Sequence, residues 1–177
     1  MFWKSIWNTL YFTVLSVPVN IILGIIIALL LNSKIRFIGL YRTVFFIPTL
    51  VPVVATATVW RWLLDSNYGI INSLLNKVGL ASIPWLASEN WSKLALVMIA
   101  SWGIGQAIII NLAGLQDISP EYYEAAQIDG AGIFQRVRHI TLPLLTPVIF
   151  YNVVMGVINA LQTFTLPYTL TNGEGTP

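Results

Sequence analysis

Four long stretches of this chain carry no Asp, Glu, Lys or Arg: residues 5–33, 43–60, 94–116 and 140–173. No water reaches backbone amides inside a bilayer, so a spanning segment must satisfy its own N–H and C=O groups. As a helix it needs roughly 20 mostly apolar residues. All four runs meet or approach that length. Charged residues make up 9% of the 177 and hydrophobic ones 56%, whereas a soluble domain carries about 25% charged residues. The polar shell of a soluble core is missing. The expected fold is therefore an all-α integral membrane protein with about four transmembrane helices, over 5–31, 44–64, 94–115 and 144–170.

Counting excludes other classes. The chain has no cysteine and one histidine. Disulfides, thiolate metal sites and multi-histidine metal clusters are therefore not expected. It has no GxxxxGK[ST] phosphate loop, so ATP hydrolysis by that route is not expected of it. A net charge of +2 is too small to suggest a nucleic-acid partner. A membrane-embedded enzyme would need ionisable residues clustered at membrane depth, and the four runs hold none. The first run exceeds the 7–15-residue core of a signal peptide and reads as a retained span.

The spans are punctuated. Pro18 is expected to kink the first, and Pro48 and Pro52 make the second unlike one straight helix. Gly103 and Gly105 thin the third, where another helix can come close. Between the second and third, residues 70–78 read as a short helix within a longer connection. With four spans both termini share a side. Lys34, Arg36, Arg42, Arg136 and Arg138 lie on the opposite side, against Lys4, Arg61, Lys77 and Lys93 on the terminal one. The positive-inside rule then weakly favours the cytoplasm for segments 32–43 and 117–142.

The second of those segments is the long polar one. Ser119 followed by Pro120 reads as a helix start, a hydroxyl cap and then a proline at the first helical position. Glu121 suits the first turn electrostatically. Gly130 permits a reversal through positive φ, and a second helix is expected from about Ala131 to His139. The result is a helical hairpin projecting from the membrane. Ala125 and Ala126 let another backbone approach, and Glu124 beside them offers a charge to fix register. An ordinary solvated loop is the alternative.

The spacing Glu124-Ala125-Ala126, three residues, Gly130, nine residues, Ile140, one residue, Leu142-Pro143 resembles the EAA loop of permease subunits in binding-protein-dependent ABC importers, at every fixed position. Residues 7–13, 40–54, 67–75 and 169–177 are also similar to the sugar-transporting, maltose-permease-like branch. The resemblance implies one permease domain over 1–177, a partial version of a six-span fold lacking its first and last spans. It implies a cytoplasmic EAA hairpin that couples to a dimer of ATP-binding subunits through Glu124, Ala125, Ala126, Gly130, Ile140, Leu142 and Pro143. It further implies a second, non-identical permease subunit, an extracytoplasmic solute-binding protein and residence in the bacterial inner membrane. ATP and Mg would be used by the partner ATPase, with no cofactor on this chain and no enzymatic activity of its own. The solute would be a carbohydrate. A glycerol phosphate is the alternative cargo, and a truncated non-transporting fragment the alternative state.

Substrate-path candidates come from the spans themselves. Trp102 and Gln106 are four apart, and Asn152 and Asn159 seven apart, so each pair is expected to share a helix face. Amides and an aromatic ring suit a sugar's hydroxyls and faces. The same residues can equally make hydrogen bonds between helices.

Overall fold

A computed structural model describes residues 2–33 and 36–171. The tail 172–177 and residues 34–35 of the first polar turn lie outside the described residues. Among the described residues, the regular elements are all helical.

Helix α1 (Phe2–Leu31) runs unbroken through Pro18. The expected kink is thus no break; neighbouring helices can re-satisfy the freed backbone groups. The second span is a bent pair, α2 (Ile38–Leu50) and α3 (Val53–Leu63), turned by 99° at Val51–Pro52. Proline removes an amide donor and crowds the preceding turn, so the turn falls where the two prolines concentrate. After α4 (Ile70–Lys77), the third span is also a bent pair, α5 (Glu89–Trp102) and α6 (Gly105–Gln116), turned by 50°. Two helical segments are long and apolar enough to cross a membrane. Counting each bent pair as one span makes four.

Beyond α6 come α7 (Pro120–Ile128), α8 (Ile133–Arg136), a π-helical segment (Val137–Thr141), α9 (Leu142–Leu161) and α10 (Thr165–Thr171). The fourth span differs from the expected 144–170. It begins within the hairpin, runs without interruption from Ile133 and ends at Leu161. The segment after it turns away because Leu166 and Leu170 pack with Ala57 of α3, with Leu64 just after it, and with Ala95 and Ile99 of α5. Apolar continuity in the sequence therefore hid a helix end.

A second apolar core occupies the other end of the bundle. Leu31, Leu115 and Leu145 meet there with Ala28, Ile108 and Leu112. This brings the end of α1, the end of α6 and the start of α9 together, so residues 32–33 and the 117–132 segment leave the same end. At the opposite end Lys93 bonds Glu89 at 3.3 Å, and its Nζ lies 5.4 Å from the centre of the Tyr11 ring. In the 65–88 connection beside it one buried amide ties the two halves together. Asn72, 2% exposed, accepts from Ile83 N and Trp85 Nε1 and donates to Ile83 O.

Gly105 confirms one close approach expected from sequence. A Cβ there would lie 2.5 Å from Phe45 O and 3.0 Å from Phe46 Cα, so α6 reaches the α2 backbone only without a side chain. Gly103 has no such neighbour; the nearest atom to its would-be Cβ is 3.9 Å away.

Candidate functional site

Two features carry the chemistry, a polar cavity in the bundle and the hairpin at its end. The cavity has a volume of about 410 Å³ and lies between α1, the α5–α6 break and the second half of α9. Its polar lining is Ser16, Asn20, Gln106, Asn152, Asn159 and Thr163. Phe12 and Tyr151 add rings, and among the described residues no Asp, Glu, Lys, Arg or His lines it.

Of the four substrate-path candidates, Gln106, Asn152 and Asn159 line this cavity and Trp102 does not. The break at Gly103–Ile104 falls between Trp102 and Gln106, so their four-residue spacing no longer places them on one helix face. Trp102 instead meets Trp60 of α3 edge-on at 6.0 Å between ring centres. Asn152 and Asn159 keep one face because α9 is continuous. Asn152 donates through Nδ2 to Asn111 Oδ1 at 2.9 Å, and Asn111 is wholly buried with its own Nδ2 unpartnered. Asn20 Oδ1 accepts from Ser101 Oγ at 2.8 Å. Sequence reasoning missed Asn20, Ser16 and Thr163. The available signal was the four-residue spacing of Ser16 and Asn20 on an otherwise apolar helix.

The hairpin forms as its local chemistry dictates. Ser119 Oγ accepts from Glu121 N at 3.4 Å, with Pro120 opening α7. Gly130 has φ +75°. Its N–H bonds Gln127 O at 3.1 Å, and Ala131 N–H bonds Ala126 O at 2.8 Å. This pair of bonds is a Schellman motif, in which a left-handed residue ends a helix and the next amides return to its last carbonyls. The spacing from Ala126 to Gly130 is thus what such a stop requires. Gln135 Oε1 then accepts from Gly132 N at 2.8 Å, starting α8.

Pro143 explains the π segment. Proline offers no N–H to the carbonyl four residues back and its ring crowds that carbonyl. The helix widens just before it, and Leu142 N–H bonds Val137 O, five residues back. Ile140 on this segment and Leu142 at the start of α9 are half-buried, while Pro143 is exposed. On α7, Tyr123 and Ala126 are half-buried, whereas Glu124 and Ala125 face solvent. The hairpin tip carries an apolar patch not anticipated from sequence: Ile128 is 87% exposed, and Ile133 and Phe134 are each 76% exposed. Its signal was apolar residues on both sides of the Asp129–Gly132 turn.

The family described as binding-protein-dependent transport system inner membrane component matches residues 20–177. The chain belongs to that family. Among its relatives, a probable ABC transporter permease protein, YesP of Bacillus subtilis, is 39% identical over 99% of this chain and 57% of its own length. The sulfoquinovosyl glycerol transport system permease SmoG of Agrobacterium fabrum is 37% identical over 98% of this chain and 56% of its own. The trehalose/maltose transport system permease MalF of Thermococcus litoralis is 37% identical over 97% and 59%. The chain therefore spans a little over half the length of these relatives. A crystal structure of a bacterial ABC transporter that imports the acidic polysaccharide alginate superposes with a TM-score of 0.84 at 27% identity. The match covers 98% of this chain and 64% of that one. The all-helical inner-membrane fold of this family is what the bent spans and hairpin compose.

Proposed function

We infer that the chain forms part of the permease subunit of an ATP-driven importer and lines its pathway for an uncharged carbohydrate. The observation that carries the cargo class is the cavity lining of side-chain amides and hydroxyls with no charged group. Sugar hydroxyls donate and accept, and each amide offers both functions. A glycerol phosphate would call for Arg or Lys donors, and among the described residues none lines the cavity. Relatives named for trehalose/maltose, lactose and arabinooligosaccharides support a saccharide.

In this reading, ATP and Mg act on a partner ATPase dimer. The hairpin seats on that dimer through Glu124, Ala125 and the exposed Ile128–Phe134 patch. Gly130 fixes the turn, and Ile140, Leu142 and Pro143 set the junction to α9. A second permease subunit completes the pathway. A solute-binding protein delivers cargo at the opposite end, in the manner of the alginate transporter solved with its pentasaccharide-bound periplasmic protein. ATP can bias the switch only through different contacts in the two states.

The test uses the full-length gene product in proteoliposomes with its partner ATPase, second permease and binding protein. ATP-dependent uptake of labelled maltose, trehalose or lactose, with none of glycerol 3-phosphate, is expected. Uptake of glycerol 3-phosphate alone would overturn the cargo class. ATP hydrolysis by the assembled complex with no uptake of any of these solutes would overturn the importer reading.

A further inference from the structure

Tyr123 and Thr141 stand outside the seven motif positions, yet their hydroxyls meet at 3.0 Å across the hairpin. Thr141 is 2% exposed. Its Oγ1 also lies 3.4 Å from Arg136 O. When the phenol donates to Thr141, the threonine proton therefore has an acceptor of its own. Among the described residues, this is the only side-chain hydrogen bond that joins α7 to the π segment.

Helix α7 needs such a link. It has nine residues and none is buried, so packing does little to hold it. A force on α7 can reach α9 by two routes. One passes round Gly130 and Gly132, where glycine leaves the backbone compliant. The other passes straight across the two hydroxyls to Thr141, the residue before α9. From there the helix is continuous to Leu161.

We propose that the Tyr123–Thr141 hydroxyl pair is the strut that transmits movement of α7 to the spanning helix α9, making both positioning residues for coupling. This rests on the importer reading above. The motif positions seat the hairpin on its partner and shape its turn. The strut makes the seated hairpin and the span move as one body.

Single-oxygen variants test it. Tyr123→Phe removes only the phenol oxygen, Thr141→Val replaces the hydroxyl by a methyl, and Thr141→Ser keeps the hydroxyl. In the reconstituted full-length importer, the readout is labelled maltose transported per ATP hydrolysed. Losing one hydrogen bond corresponds to about a fivefold change in an equilibrium. Y123F and T141V are each expected to lower the ratio about fivefold, T141S to keep it, and the double variant to be no worse than either single one. A wild-type ratio in Y123F, or losses that multiply in the double variant, would overturn the strut.

A second measurement does not depend on transport. The chain has no native cysteine, so spin labels placed by Tyr122→Cys on α7 and Leu144→Cys on α9 report one distance. A narrow distribution is expected in the parent and with T141S, and a broadened one with Y123F or T141V. Equal widths in all four overturn the strut. If the parent moves none of maltose, trehalose and lactose but the widths differ as expected, the importer reading fails and the strut stands.

Discussion

Asn152 and Asn111 form a buried amide pair that joins α9 to α6, and only one of the two can reach water. Asn152 borders the cavity, whereas Asn111 is 0% exposed and already has one unpartnered Nδ2. The two alanine substitutions should therefore be unequal. Asn111→Ala leaves an amide that the cavity can hydrate. Asn152→Ala leaves Asn111 with no partner at all, the costlier situation for a buried polar group. N152A is expected to destabilise the protein more than N111A, with a coupling energy of about 0.6 kcal/mol and at most about 1.7 kcal/mol, as for other interhelical bonds in membranes. The double change to leucine should recover much of the loss, since it leaves no orphan. Unfolding midpoints in detergent micelles measure all four. Equal losses in the two alanine variants would contradict the burial asymmetry.

Gly105 sets the contact between the two bent spans. A Cβ at that position meets the Phe45 carbonyl at 2.5 Å and Thr49 Cγ2 at 3.0 Å. Backbone cannot rotate away as a side chain can, so α2 must shift. Gly105→Ala should cost about 1–3 kcal/mol, the usual range for overpacking, and Gly105→Val more. Gly103→Ala, two residues earlier, would meet only Ala100 O, at an unstrained 3.9 Å, and is the control. A thermal midpoint lowered by G105A but not by G103A is the expected result.

The legible parts of this fold were those set by short-range chemistry. Ser119-Pro120 and Gly130 declare a start and a stop because a cap and a left-handed residue are local needs, and both stand where the sequence placed them. Charge-free runs located the membrane segments for a similarly direct reason. What they could not give was where a helix breaks within an apolar run. Gly103 reads as a packing residue but marks a break, and nothing at Gln162–Phe164 announces the end of α9. That end follows from Leu166 and Leu170 reaching α3, a tertiary contact. The cavity was half legible. Asn152 and Asn159 share a face because α9 is one continuous α-helix, while Trp102 was misplaced by assuming that its helix continued. Asn20 joins the cavity only once α1 lies against the α5–α6 break.

Asp65 gives a pH dependence outside the spanning segments. Its Oδ1 accepts from Asn67 N at 2.8 Å and Tyr68 N at 2.9 Å. The Tyr68 amide and then the Asn67 amide hold its pKa below the ordinary 3.8, with Arg61 adding a smaller pull in the same direction. A carboxylate depressed in the folded state stabilises it above the unfolded pKa, and that contribution fades as pH falls through the folded one. The 65–69 turn should thus keep its amide protection until pH drops below 3.8. Side-chain carboxyl carbon NMR should place the Asp65 midpoint below that value. Arg61→Gln should raise it less than disrupting the turn does, and Asp65→Asn should abolish the pH dependence. A midpoint at or above the ordinary value would contradict the assignment.

Gly130 separates backbone strain from steric crowding. Its φ is +75°, and nothing lies within 4 Å of where a Cβ would stand. Any substitution penalty there is conformational. For an L-residue in the left-handed region it amounts to about 1–2 kcal/mol, and asparagine tolerates the region better than a β-branched residue. Gly130→Val should loosen the helix stop, exposing the Ala131 amide that bonds Ala126 O. Gly130→Asn should retain most of its protection. Hydrogen exchange at Ala131 reads the turn directly. In the assembled importer, G130V should hydrolyse ATP while transporting less per ATP than the parent, because α7 would present Glu124 and Ala125 in an altered direction. Faster exchange at Ala131 with unchanged transport per ATP would mean that the turn shapes the hairpin without governing coupling.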